Sequence, residues 1–256
     1  MPASIKIQEQ FGDDVQVIFV ECQNTTKDVW EAFAWKMKWM GNGAWWTIER
    51  PIPTVGQGLP ETALIGIDGT VLMQGHPGDF GKKFEEAIAA EIKKSKAAPA
   101  GTPKGLEGAW KSFNKGEAAA AIAECEKLNS DDSNKAKDEF VARLTQRVAR
   151  TQWMIENGFL SAADKALSAV EKSVKGNADL AAKMAEKRAQ LASKELDAER
   201  DADKALQSFV GDVAKKKPFE MPNVKRAEGL AEKFKSTKTS VRLERFVKLS
   251  KVDLNK

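Results

Sequence analysis

The sequence is short of the residues that most reactive centres require. Its 256 residues include two cysteines, Cys22 and Cys125, and one histidine, His76. Two thiols cannot build a disulfide framework or a multi-thiolate zinc site. A single imidazole leaves no basis for a His-ligated metal centre or a His-dependent triad. Neither a metal nor a cofactor is therefore expected. No stretch approaches the ~20 consecutive apolar residues that span a bilayer, and the run 17–20 is only strand-sized. Residues 1–10 have no apolar core of the kind a signal peptide carries. No glycine pattern for a phosphate-binding loop occurs anywhere.

What is present is unevenly spread. The chain holds 41 Lys+Arg and 37 Asp+Glu, but residues 1–96 are net acidic and the remainder is net basic. Five of the seven tryptophans, Trp30, Trp35, Trp39, Trp45 and Trp46, fall in one N-terminal window. The segments rich in valine and isoleucine also lie before residue 96, and Ala, Lys and Glu dominate after it. The stretch 96–105 is small and polar and is broken by Pro99, Gly101, Pro103 and Gly105, so it reads as a linker. The expected organisation is an α/β domain over 1–95, a linker over 96–105 and an all-helical domain over 106–256.

The first part alternates between element types. Ile5, Ile7 and Phe11 mark a short amphipathic segment. Residues 15–22 are β-rich and apolar on both faces. Thr25 or Thr26 caps a helix expected to run to about residue 40, stopped by Gly41-Asn42-Gly43. Residues 45–50 are the next strand candidate. Residues 61–68 and 70–74 form two strands joined by Asp68-Gly69, a hairpin signal. Asp79 is expected to cap a last helix with Phe80, Phe84, Ala87, Ile88 and Ile92 on its inner face. The order is α-β-α-β-β-β-α.

The second part reads as helix throughout. Apolar residues at three- and four-residue spacing predict helices over 106–113, 117–128, 134–156 and 161–174. Gly116, the 129–133 stretch, Gly158 and Gly176-Asn177 punctuate them. A further pattern over 178–213 predicts one rod of roughly 50 Å, and the last helix spans about 224–249 with a break near Thr237. Gly116 and Gly158 each open a helix with an alanine five residues on. This weakly resembles the tetratricopeptide pattern, although the spacing exceeds the ~34-residue repeat. An irregular helical bundle fits the same residues.

The run Gly58-Leu59-Pro60-Glu61-Thr62-Ala63-Leu64-Ile65-Gly66-Ile67-Asp68-Gly69-Thr70-Val71-Leu72 resembles the cis-proline strand and following hairpin of the TlpA-like disulfide reductases, a branch of the thioredoxin superfamily. Residues 15–22 and the helix after them resemble the preceding strand and helix, so the likeness covers about 3–95. It implies a thioredoxin-like fold, a cis Leu59–Pro60 bond and thiol–disulfide exchange on protein substrates outside the cytoplasm. Only the peptide-facing half of the family site carries over, as Leu59, Pro60 and Glu61. Cys-x-x-Cys is absent, and so is the central strand that would precede it, leaving two apolar strands facing an unfilled slot. An N-terminal truncation, direct pairing of the flanking strands or a strand from a partner chain would each account for this. Truncation is favoured, because Ile5, Ile7 and Phe11 resemble the tail of the catalytic helix.

Without the paired thiols the chain is expected not to catalyse disulfide reduction, and Cys22, at a strand end, is the one candidate lone thiol. Its alternative is a small packed residue at a sheet edge. Cys125 shares a helical face with Ile122 and Leu128, which places it in a core. His76, in a polar turn, is expected to be solvated. Trp30 and Trp45 or Trp46 are expected under the sheet, with Trp35 and Trp39 as a stripe against which helices dock. Lysines interleaved with acids give a solvated helix surface and not a nucleic-acid platform. A protein or peptide partner is expected, either for the α/β domain or for a helical scaffold.

Overall fold

The computed structural model describes residues 2–40, 45–50, 52–56, 58–175 and 177–254. The predicted helix stop at Gly41-Asn42-Gly43 and the punctuation at Gly176 lie outside them. The described residues form α1 (Pro2–Phe11), β1 (Ile18–Val20), α2 (Lys27–Lys36), β2 (Trp45–Thr47), β3 (Thr62–Ile65), β4 (Val71–Gly75) and α3 (Lys82–Ser95), then only helices. These are α4 (Glu107–Asn114), α5 (Ala118–Leu128), α6 (Asp131–Glu156), α7 (Leu160–Ser173), α8 (Ala178–Leu191), α9 (Asp197–Val213), α10 (Met221–Lys233) and α11 (Lys238–Leu249). The expected change from mixed α/β to all-helical structure is present. So is the expected element order before it.

The chain divides into two compact units, one of residues 1–53, 156–161 and 192–256, the other of residues 54–155 and 162–191. The expected division at 96–105 is not followed, because that stretch lies inside the second unit. Nor is it a loose tether. Asn114 Nδ2 donates to Ala97 O at 2.8 Å, and Thr102 Oγ1 donates to Pro99 O at 2.7 Å.

In the first unit β1 and β2 pair in parallel, Ile18 opposite Trp45 and Val20 opposite Thr47. Gln8 of α1 fixes the approach to β1: its Nε2 donates to Val15 O at 2.8 Å and its Oε1 accepts Val17 N–H at 2.7 Å. Thr26 caps α2 by accepting Val29 N–H, as expected. That helix ends at Lys36, short of the expected residue 40. Lys38 takes a left-handed φ of 60°, and Trp39 is thereby buried and stacked on Phe19 at 4.2 Å. Burial of a large ring outweighs one further helical turn. Trp30 joins this core and Trp46 packs against it, whereas Trp45 is exposed.

Residues 1–53 fold with the C-terminal helices for a reason that lies on one face of α2. Trp35 meets Phe246 of α11 edge-on at 5.0 Å, and Phe246 also meets Phe209 at 5.0 Å and Phe219 at 5.2 Å. Beside the rings, Arg245 pairs with Asp28 at 2.6 Å and with Glu31, and Lys248 pairs with Asp28 at 2.9 Å. Trp35 thus docks a helix as its stripe predicted, while Trp39 turns into the core of its own segment.

The rod expected over 178–213 is broken. α8 stops at Leu191, Ser193 is extended, and a 3-10 turn over Lys194–Leu196 leads into α9. Arg200 holds the break by donating to Ser193 O at 3.2 Å and pairing with Asp197. The predicted break near Thr237 is present, with Thr237 as the cap of α11.

In the second unit β3 and β4 form an antiparallel hairpin, Thr62 opposite Gly75 and Ile65 opposite Val71, with an irregularity between Leu64 and Ile65. Its Asp68-Gly69 turn is as expected: Gly69 takes φ 83°, and Asp68 accepts Thr70 N–H at 3.0 Å. Asp79 does not cap α3. It ends a 3-10 turn, and Gly81 with φ 50° opens the helix, leaving Ile88 buried on its inner face. Helices α4 and α6 meet through Trp110, Phe113 and Phe140, with the two phenylalanine rings stacked at 4.3 Å. Arg188 ties α8 to α7 through Glu171 at 2.8 Å, Ser168 at 2.6 Å and Asp164.

Candidate functional site

The residues singled out for peptide contact lie together on the loop that leads into β3. Leu59–Pro60 is a cis bond, as the resemblance implied. Leu59 is exposed and Pro60 is half-buried. Glu61 does something different from what was expected of it. Its carboxylate accepts Val55 N–H at 2.8 Å, Gly56 N–H at 3.2 Å and the Gln74 amide at 2.7 Å. The side chain is turned back onto its own loop and joins it to β4. It is therefore a positioning residue for the loop and is not aimed at an incoming peptide. Val55 N–H, then Gln74 and Gly56, hold the Glu61 carboxyl below the usual carboxylate range.

Two residues that the sequence reading passed over complete the frame. Gln74, on β4, is the side-chain donor to Glu61. Glu91, buried on α3, accepts Ile67 N–H at 3.1 Å and pairs with Lys94. The Lys94 ammonium and then the Ile67 amide hold its carboxyl below the usual range. Gly66 permits this approach. A Cβ there would lie 3.0 Å from a Glu91 oxygen and 3.0 Å from Asp68 Oδ1. The glycine in Ile65-Gly66-Ile67 was the signal that a side chain would come close to that backbone.

The strand's two edges are not equivalent. Gly66 donates to Thr70 O at 2.8 Å across the hairpin. Alternation along an antiparallel strand then turns Leu64 and Thr62 toward β4 and leaves the main-chain groups of Ala63 and Ile65 facing away. Ile67 follows the same rule, and its outward N–H is the one taken by Glu91. Among the described residues β3 pairs with β4 alone.

The thiols are separate from this frame. Cys22 is half-buried just beyond β1, and its carbonyl accepts from Arg50, which also donates to Asn24 Oδ1 at 2.9 Å. Cys125 is buried in α5 beside Ile122, while Leu128 on that helix is exposed. Burial pushes the Cys125 thiol up, away from the reactive thiolate. Neither cysteine is in a disulfide. His76 is exposed, and its Nδ1 accepts Gly78 N–H at 3.1 Å, so it serves as a turn cap. No group of three or more His, Cys, Asp or Glu among the described residues is arranged to hold a metal. No helix among them is long and apolar enough to cross a membrane.

Searched against family models, curated proteins and solved structures, the chain matches none.

Proposed function

We propose that the chain is a protein-binding relative of the TlpA-like thioredoxins with no thiol–disulfide activity of its own. The observation that carries this reading is the state of its thiols. Reduction of a protein disulfide needs an accessible, low-pKa attacking thiol and a second thiol to resolve the mixed disulfide. Cys125 is buried with its pKa raised, and no Cys-x-x-Cys supplies a partner for Cys22. The peptide-facing loop is nonetheless built, with Glu61 and Gln74 bracing it. A thioredoxin-like origin of the 3–95 segment, with the extracytoplasmic location such an origin implies, belongs to the same proposal.

A second reading places binding on the helices, as a tetratricopeptide-like scaffold. It is favoured by the packing of α4 on α6, in which Trp110 and Phe113 of one helix meet Phe140 of the other. The two readings share the absence of redox chemistry, and insulin reduction tests it. With dithiothreitol as reductant, the full chain should reduce insulin no faster than dithiothreitol alone. Turnover above that background, abolished by Cys22→Ser, would overturn the proposal.

A further inference from the structure

The large apolar side chains that remain exposed are concentrated where the chain is least helical. In the second unit, Val55 is 67% exposed, Leu59 50%, Ile65 49% and Ile67 61%, and Val71 and Leu72 are exposed beside them. Ile65 and Val71 stand opposite one another, so both lie on the same face of the hairpin. The stretch 54–67 carries one ionisable side chain, Glu61, and that carboxylate is turned onto Val55, Gly56 and Gln74. Strand edges are normally protected by a lysine, an internal proline or a bulge that twists the edge away. β3 has the sequence Thr62-Ala63-Leu64-Ile65 and carries neither a lysine nor a proline, while the extra residue in the register falls on β4.

We propose that the outward edge of β3 receives an extended, uncharged segment of a partner protein as an added strand. The inference rests on the protein-binding reading above and specifies where the partner docks and what chemistry it presents. Area selects a strand over a second globular copy. Burying an aliphatic side chain fully removes on the order of 60–120 Å² of apolar surface, so the six half-exposed side chains offer about 300 Å². A stable interface between globular partners takes about 800 Å² per side. An extended segment makes up that shortfall with main-chain hydrogen bonds to Ala63 and Ile65, the mode in which a strand is added to a sheet edge. Charge selects the composition. An ionised side chain laid over Ile65 and Ile67 would lose hydration with no free counter-charge to replace it, because the nearby carboxylates are engaged. Glu61 is held by Val55, Gly56 and Gln74, Asp68 by Thr70, and Glu91 by Ile67 and Lys94.

The test uses the full chain and a blocked peptide, acetyl-Ser-Thr-Val-Thr-Val-Thr-Ser-amide, with amide hydrogen exchange read residue by residue. At saturating peptide the Ala63 and Ile65 amides should slow by tenfold or more, with Leu64 changed far less. Ala63→Pro removes one outward N–H, and Ile65→Lys places a charge on the edge. Each should abolish the slowing while the thermal unfolding profile stays that of the wild type. Should Ala63→Pro unfold the hairpin, Ile65→Lys decides alone. Slowing confined to the α4–α6 helices would overturn the strand edge yet leave protein binding standing. No slowing anywhere at millimolar peptide would overturn the inference. Slowing at Ala63 and Ile65 that depends on protein concentration without peptide would overturn it in favour of a second copy. Insulin turnover, by contrast, would overturn the functional reading whatever the exchange pattern.

Discussion

Glu199 and Asp203 sit one turn apart on α9 and hold the starts of two other helices. Glu199 accepts Lys238 N–H at 2.7 Å, Thr239 N–H at 2.9 Å and the Thr239 hydroxyl at 2.7 Å. Asp203 accepts Ser161 N–H at 2.7 Å at the start of α7. Thr237 takes Ser240 N–H, so Glu199 and Thr237 between them satisfy the first three amides of α11. Arg242 packs over Phe159 at 4.3 Å and donates to Gly158 O at 2.6 Å, with desolvation lowering its pKa. Two carboxylates, one guanidinium and two helix N-termini of about half a charge each come close to neutrality.

Glu199→Ala leaves three donors without an acceptor, two of them on the fully buried Thr239. An unsatisfied buried donor costs about 1–3 kcal/mol, and first-turn amides recover part of that from water, so a loss of about 2–4 kcal/mol is expected. With a urea m-value of roughly 3 kcal/mol/M, the first unit's transition should fall by about 1 M, read by circular dichroism with tryptophan fluorescence. Gly158 supplies an internal control. It holds φ 73°, and a Cβ there would lie 2.6 Å from Glu199 Oε1. Gly158→Ala should therefore displace the cap, and its cost should shrink by about 1 kcal/mol or more once residue 199 is alanine. A Glu199→Ala loss under about 0.5 kcal/mol, or strict additivity of the pair, would refute this reasoning.

Two further outcomes follow from the same kind of reading. The Glu61 carboxyl titrates below its ordinary range in the folded chain, so its bracing of the loop is complete above the unfolded carboxylate pKa and is lost as pH falls through the folded value. The Val55 and Gly56 amides should be protected at neutral pH and should lose relative protection only once the pH falls below the ordinary carboxylate range, and Glu61→Gln should flatten that dependence; protection that survives full acid titration in the wild type would contradict it. Arg245→Ala leaves Glu31, whose side chain is 8% exposed, without its guanidinium, and should destabilise the first unit by about 2–3 kcal/mol, below the 3–5 of a fully buried pair because Arg245 is 29% exposed. Arg245→Lys should recover part of that loss in the same urea assay, and equal melting of all three proteins would dismiss the contact.

Local chemistry was legible in the sequence wherever neighbours decide the outcome. Asp68-Gly69 made its turn, Thr26 and Thr237 capped their helices, and the α-β-α-β-β-β-α order appeared as written. What the residues around a site could not announce was a partner from far along the chain. Arg245 and Glu31 are 214 positions apart, so the union of 1–53 with the C-terminal helices left no local signal. The break after Leu191 was hidden for a related reason. Ala192, Ser193 and Lys194 tolerate a helix, and the interruption is set by Arg200 reaching Ser193 O. At the candidate site, the Leu59–Pro60 bond is cis, as the resemblance implied. Glu61 enters the peptide-facing set through the resemblance alone, and its bonds to Val55 and Gly56 depend on a loop closure that only the fold reveals.

The central claim is that β3 is a paired strand on one side and an open edge on the other. Amide exchange along β3 in the free chain at neutral pH measures this directly. The account predicts alternation, with the Leu64 and Gly66 amides protected and the Ala63 and Ile65 amides exchanging near the rate of an unstructured peptide. Uniform protection from Thr62 to Gly66 would mean that the outward edge is already covered, and would contradict it.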